Sequence, residues 1–131
     1  THSDFYESVL PLAEYRSAHG LRVKIAEISE IYDEFNYGIC SPEAIRTFLR
    51  YAYSEWQEPA PLYVLLVGDA SYDYKDNSNY GVKNYVPTYM VHSLEFGETG
   101  SDNWFVCLDS EDDILPDMYI GRLPVYRTDQ A

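Results

Sequence analysis

The run Leu62-Tyr-Val-Leu-Leu-Val-Gly68 restricts the fold more than any other stretch of the chain. It has the length of a strand and is apolar at nearly every position, so both of its faces must be covered. Continuous apolar strands of that kind belong to parallel sheets held between two helical layers. A glycine and an acid, Gly68 and Asp69, follow it directly. The carboxyl ends of strands are where ligands gather in open α/β sheets, which makes Asp69 the first residue to test for function.

Helical patterns flank the run as this arrangement requires. Ser41 and Pro42 open a helix with an apolar stripe of Ile45, Phe48, Leu49, Ala52 and Trp56, ending near Gln57 ahead of Pro59. Ser3 is placed to cap an earlier helix bearing Phe5, Val9, Leu12 and Ala13 and stopped by Gly20, with Pro11 expected to bend or split it near Leu10. Leu21–Ile28 alternates apolar and polar residues and reads as a strand, followed by a helical turn near Ser29–Phe35. Beyond a loop over 69–81, short strands are expected at Tyr85–Val91, Trp104–Leu108 and Met118–Val125. The order predicts an α/β fold, a three-layer sandwich with a mostly parallel sheet, in a single domain over residues 1–131. Because a helix comes first, a further strand is expected ahead of it, with Thr1 and His2 as candidates for its last residues.

Charge excludes one class of partner. With 22 Asp and Glu against 9 Lys and Arg the net charge is -13, and such a surface repels phosphate backbones, so no nucleic-acid partner is expected. No apolar stretch reaches the length of a membrane span. The two cysteines, Cys40 and Cys107, make neither a disulfide framework nor a metal-ligand spacing.

Acid is densest between Glu95 and Asp117, which holds no Lys or Arg. Within it, Asp113-Ile-Leu-Pro-Asp117 can turn two carboxylates and the intervening Leu115 carbonyl the same way, a mixture of hard oxygens suited to calcium. Turn capping by aspartates accounts for the same pattern, and from the residues alone it carries more weight. A second acidic cluster, from Asp69 through Asp73 and Asp76 to Asn79, lacks the glycine at the sixth position and the glutamate at the twelfth of an EF-hand loop. For nucleophilic catalysis a thiol or hydroxyl needs a base within reach. The histidines are only His2, His19 and His92, no known nucleophile motif is present, and no catalytic residue is assigned.

Three motifs then stand in a particular order: Tyr63-Val-Leu-Leu-Val-Gly-Asp69, Ser101-Asp102-Asn103-Trp104, and Asp112 through Gly121-Arg122-Leu-Pro. Tyr15-Arg16 with Gly20-Leu21-Arg22 precedes them. Together they resemble the N-terminal subdomain of the gingipain-type cysteine peptidases, peptidase family C25, over nearly the whole chain. The resemblance implies a caspase-like (flavodoxin/Rossmann-like) half domain. It also implies a catalytic His in a Gly-His-Gly segment and a catalytic Cys in an Ala-Cys segment, both downstream of Gly121-Arg122 and outside these residues. The expected partners are a C-terminal catalytic subdomain of the same protein and, for the full-length enzyme, a protein or peptide substrate, in a secreted or cell-surface setting. It further implies a structural calcium ion held by the side chains of Asp69, Asp113 and Asp117 and the backbone carbonyls of Ser110 and Leu115.

Other readings keep parts of this. One is a non-catalytic or transpeptidase-like relative acting in protein export or surface attachment. Another is a calcium-stabilised binding module that engages a protein or glycan through its aromatics. A receiver-like or phosphatase-like domain built on Asp69 lacks the second acid of the usual pair.

Overall fold

The computed structural model describes residues 1–131. Strand β1, Tyr63–Val67, pairs in parallel with a strand more than fifty residues later, β4, Tyr119–Leu123, with Tyr63 opposite Tyr119 and Val67 opposite Leu123. A parallel pair needs a long crossover and cover on both faces. Helices α2, Ile28–Asn36, and α3, Pro42–Glu55, supply one layer. Their Ile28, Ile45 and Leu49 close over Leu66, Met118, Phe105 and Val106. The opposite face receives α1, Tyr6–Ala18, through Phe5 and Val9 against Val67 and Val125. Helix, sheet and helix make the expected three layers.

Local chemistry fixes the helix starts. Ser41 accepts a hydrogen bond from the Glu43 N–H at 3.1 Å, with Pro42 in the first turn where its missing donor costs nothing. At the start of the chain the cap is His2 rather than Ser3: its Nδ1 accepts from the Asp4 N–H at 3.1 Å. Pro11 neither ends nor splits α1, which runs through it with the proline ring on the exposed side.

The structure departs from the sequence pattern in the later strands. Trp104–Leu108 is not a strand but a 3-10 helix, Asn103–Val106, leading into a buried loop. The strand expected at Tyr85–Val91 is β2, Tyr89–Ser93, and it forms an antiparallel hairpin with β3, Gly97–Ser101. The strand expected at Leu21–Ile28 does not form: residues 21–27 belong to no helix or ladder, and α2 begins at Ile28. The contact of this segment with the sheet passes through Thr1 and His2. The Thr1 amino group donates to the Ala26 carbonyl at 2.8 Å, the Ile28 N–H donates to the Thr1 carbonyl at 2.9 Å, and the His2 N–H donates to the Val67 carbonyl at 3.4 Å.

Candidate functional site

The carboxyl end of the parallel strands is organised by one guanidinium. Arg122, on β4, has its side chain on the α3 side of the sheet and only 12% exposed. Its Nη1 donates to the carbonyls of Gly68 at 2.8 Å and Val86 at 2.5 Å, and its Nη2 donates to that of Pro87 at 3.0 Å. Nε and Nη2 also grip both oxygens of Asp102 at 2.7 Å each, and Thr88 Oγ1 donates to the same carboxylate at 3.0 Å. A planar, permanently charged fork is the side chain suited to so many acceptors. Gly68, Asp102 and Arg122 thus come from the three motifs singled out in the sequence and meet at one place.

Gly68 is there because nothing larger fits. Its φ is +137°, and a Cβ would lie 2.7 Å from Cβ of Tyr85 and 3.0 Å from Cγ2 of Val86. Asp69, the next residue, is tied into the backbone on every side. Its N–H donates to the Val125 carbonyl, its carbonyl accepts from the N–H groups of Tyr85 and Val86, and its Oδ1 accepts from the Ala70 N–H at 2.9 Å. Asp69 closes the end of the sheet.

The five oxygens expected around one calcium ion are not brought together. Asp69 follows the carboxyl end of β1, whereas Ser110, Asp113, Leu115 and Asp117 lie before the amino end of β4. Because the two strands are parallel, these are opposite ends of the sheet, separated by the strand length of roughly 16 Å. The acidic loop itself is satisfied from within. Asp113 accepts from the N–H groups of Leu115 at 3.0 Å and Asp109 at 3.3 Å, and Asp117 accepts from the Leu108 N–H at 2.8 Å. The Ser110 carbonyl accepts from Arg46 Nη2 at 2.7 Å. No group of three or more His, Cys, Asp or Glu side chains is arranged to hold a metal ion. The donor set does not fit a single calcium ion.

Arg46, on α3, is the cation of that loop. It is 3% exposed and donates to the Cys107 carbonyl through Nε at 3.1 Å and Nη2 at 2.6 Å, as well as to Ser110 and, through Nη1, to Glu111 at 3.1 Å. Its guanidinium lies 4.5 Å from the Trp104 ring, which stacks on Tyr89 at 3.6 Å. Arg50, one turn on, donates to the Leu108 carbonyl at 3.1 Å. Arg122 stands in a motif that the sequence displays, but Arg46 belongs to none. Arg46 sits beside the apolar stripe of α3, and a charged residue adjoining such a stripe, with a run of uncompensated acid elsewhere, was the available signal.

No nucleophile and base meet. Cys107 Sγ donates to the Asn103 carbonyl, and burial first, then Asp113, pushes its thiol up against the opposing pull of Arg46. Cys40 is half-buried, and burial pushes up the ionisation of the Tyr32 phenol, whose hydroxyl has no partner. His19 Nδ1 bonds the Tyr15 carbonyl, His2 caps a helix and His92 is exposed on β2. Neither thiol has a histidine partner.

The model of peptidase family C25 matches residues 1–131. No curated protein matches the chain. Among solved structures it is similar to dimeric latent PorU from Porphyromonas gingivalis, with a TM-score of 0.75 and 23% identity, over 98% of this chain and 14% of that one. At that identity the likeness shows the fold alone, and the fold is the caspase-like α/β arrangement. The chain spans 14% of the length of that protein.

Proposed function

The chain belongs to peptidase family C25, and from that membership we propose that it is the scaffold subdomain of a cysteine endopeptidase, with the Cys–His dyad supplied by the rest of the polypeptide. The observation that carries this reading is the Arg122 node. Its bonds fix the carboxyl end of the sheet, and the hydroxyl that joins them, Thr88 Oγ1, is spent on the Asp102 carboxylate that Arg122 already pairs. Such an end is a platform for neighbouring chemistry rather than its source. The secreted or cell-surface setting belongs to the same proposal.

The test uses the full-length protein and a panel of fluorogenic peptide amides. Hydrolysis that a thiol-alkylating reagent abolishes is expected, and Cys40→Ser and Cys107→Ser should leave kcat/KM within about twofold, because neither thiol takes part. Loss of activity in Cys40→Ser would overturn the reading, as would hydrolysis by residues 1–131 alone. An inactive full-length protein would favour the non-catalytic relative in export or surface attachment.

A further inference from the structure

Hairpin β2–β3 is a sheet of two strands, and neither of its outer edges has a backbone partner. Ser93 lies opposite Gly97 across the turn, with Val91 opposite Thr99 and Tyr89 opposite Ser101. Ser93 and Gly97 must exchange hydrogen bonds, because the other alternation would bond Leu94 to Phe96, with a single residue between them. The odd-numbered residues of β2 therefore turn their backbone groups inward, and Met90 and His92 turn theirs to the outer edge. Isolated hairpins are marginal in water, and natural edge strands are guarded by charged residues such as lysine, by proline or by cover. Between Tyr89 and Ser101 there is no Lys, Arg or Pro.

A cavity of about 320 Å³ lies against the same strand, lined by Met90 with Tyr72, Tyr74, Lys75, Asn77 and Ser78. Most of its polar groups are already engaged. The Tyr72 hydroxyl donates to Glu98 at 2.8 Å, and Asp73 accepts from the Ser78 N–H at 2.6 Å and from Asn77 Nδ2 at 3.2 Å. What remains is the Met90 thioether, the faces of two tyrosines and one cation. Lys75 Nζ lies 5.5 Å from the centroid of the Tyr74 ring and pairs with no carboxylate. Aromatic rings pack well on tyrosine and methionine. A lysine or arginine side chain would be repelled by Lys75, and a carboxylate drawn to it. The base of the hairpin is tied to the Arg122 node through the Pro87 carbonyl, Thr88 and Asp102, so edge and cavity stand at the carboxyl end of the parallel strands.

We propose that an extended segment of the peptide substrate adds to the outer edge of β2 as an antiparallel third strand. It places an aromatic side chain opposite Met90 in the cavity and an acidic residue, two positions away on the same face, in reach of Lys75. In such additions the main-chain bonds supply affinity and the pocket for an alternate side chain supplies selectivity. The residue opposite Met90 exchanges both its N–H and C=O bonds with β2, and its neighbours in the segment turn theirs away. The inference rests on the peptidase reading for the source of the segment, and adds to it a preference within the substrate chain.

The probe is the peptide Ac-Ser-Asp-Thr-Phe-Thr-Asp-Ser-amide, titrated into residues 1–131 and followed by NMR. Saturable binding should slow amide exchange at Met90 and His92 about fivefold or more and leave Val91, already paired to Thr99, within about twofold. Replacing the Phe of the probe by Ala should weaken binding about tenfold or more. N-methylation of the Phe amide should abolish it, whereas N-methylation of the Thr that follows should change it by no more than about twofold. Lys75→Glu, a change at an exposed position, should reverse the preference between this probe and one with both Asp replaced by Lys. No saturable binding, equal binding of the two N-methylated peptides, or protection at Glu98 and Gly100 in place of Met90 and His92 would each overturn the proposal. Binding is read without hydrolysis. A full-length protein that cleaves peptides while residues 1–131 ignore the probe would overturn this inference alone, and one that cleaves nothing would overturn the peptidase reading while leaving the measured edge site in place.

Discussion

Arg122 takes acceptors from positions 20 to 54 residues away in sequence, so removing it opens several loops at once. Arg122→Met leaves Asp102 as an unpaired, largely enclosed carboxylate and should cost about 3–5 kcal/mol in urea unfolding. Arg122→Lys should recover little of that, since an ammonium cannot reproduce a planar fork with five hydrogen bonds. Gly68→Ala tests the neighbouring constraint. Its Cβ meets side chains at 2.7 and 3.0 Å, at a φ that L-residues avoid, and a loss of at least about 2 kcal/mol is expected. His2 carries a pH dependence. Burial holds its pKa below the ordinary value of 6.5, against the pull of Asp4 and Glu27 and with help from Lys83 and the Thr1 amino group. The unfolded chain then binds more protons than the folded one as pH falls through 6.5 and below, so stability rises with pH across that window and is lost on acidification. Protonation also occupies Nδ1, the acceptor for the Asp4 N–H. The urea midpoint should fall between pH 7 and pH 5.5, and His2→Asn, which keeps a capping oxygen, should flatten that part of the profile.

At the scale of elements, α3 and the acidic loop act as one unit through Arg46. Arg46→Met should cost about 3–5 kcal/mol, because Glu111 is exposed but the Cys107 carbonyl would be left buried without its donor. The same bonding predicts that calcium at millimolar concentration, or excess chelator, moves the thermal midpoint by less than about 1 °C, since only a ligand bound to the native state shifts it. A rise of several degrees that Asp113→Ala removes would put a cation on the loop after all. Sequence patterns located β1, α2, α3 and β4 within a few residues, because each has an apolar period or a cap that its own residues declare. They missed β3, Gly-Glu-Thr-Gly-Ser, which has almost no strand propensity and exists because β2 pairs with it. They turned Trp104–Leu108 into a strand because an apolar run of that length is ambiguous. What decides it is Arg46 binding the Cys107 carbonyl and the Asp117 N–H binding the Val106 carbonyl, partners remote in sequence. The alternation in Leu21–Ile28 reads as a strand, but the structure has none there and helix α2 begins at Ile28; a ladder needs a neighbour, and only Thr1 bonds this segment. Of the candidate site, Asp69 and the acidic loop were visible as acids, yet nothing local says that a parallel pairing sends them to opposite ends of a sheet.

For the molecule as a whole, the two faces of the β1–β4 pair are unequally covered. The side facing α3 is closed, but on the α1 side Tyr63 is 63% exposed, Leu65 45% and Tyr119 68%, with the two tyrosine rings stacked at 5.5 Å. Helix α1 covers only the Val67 end of that face, and at its middle a Cβ on Gly121 would meet nothing within 4 Å. A parallel sheet bare on half a face is only partly covered by its outer layer there. On the proposed reading, the rest of the C25 domain completes that layer, and the prediction separates cover from internal stability. In residues 1–131, Leu65→Lys and Tyr119→Lys replace exposed side chains, so each should change unfolding free energy by no more than about 0.5 kcal/mol. Both should lower self-association in sedimentation velocity, because they break an apolar patch on a chain whose net charge of -13 otherwise keeps copies apart. In the full-length protein the same lysines enter a dry interface and should cost several kcal/mol and much of the soluble yield. Equal, small effects in both proteins would leave this face open to solvent and would count against a neighbouring subdomain on it. A large loss already in residues 1–131 would mean that the face is covered from within the chain, by a repositioned α1.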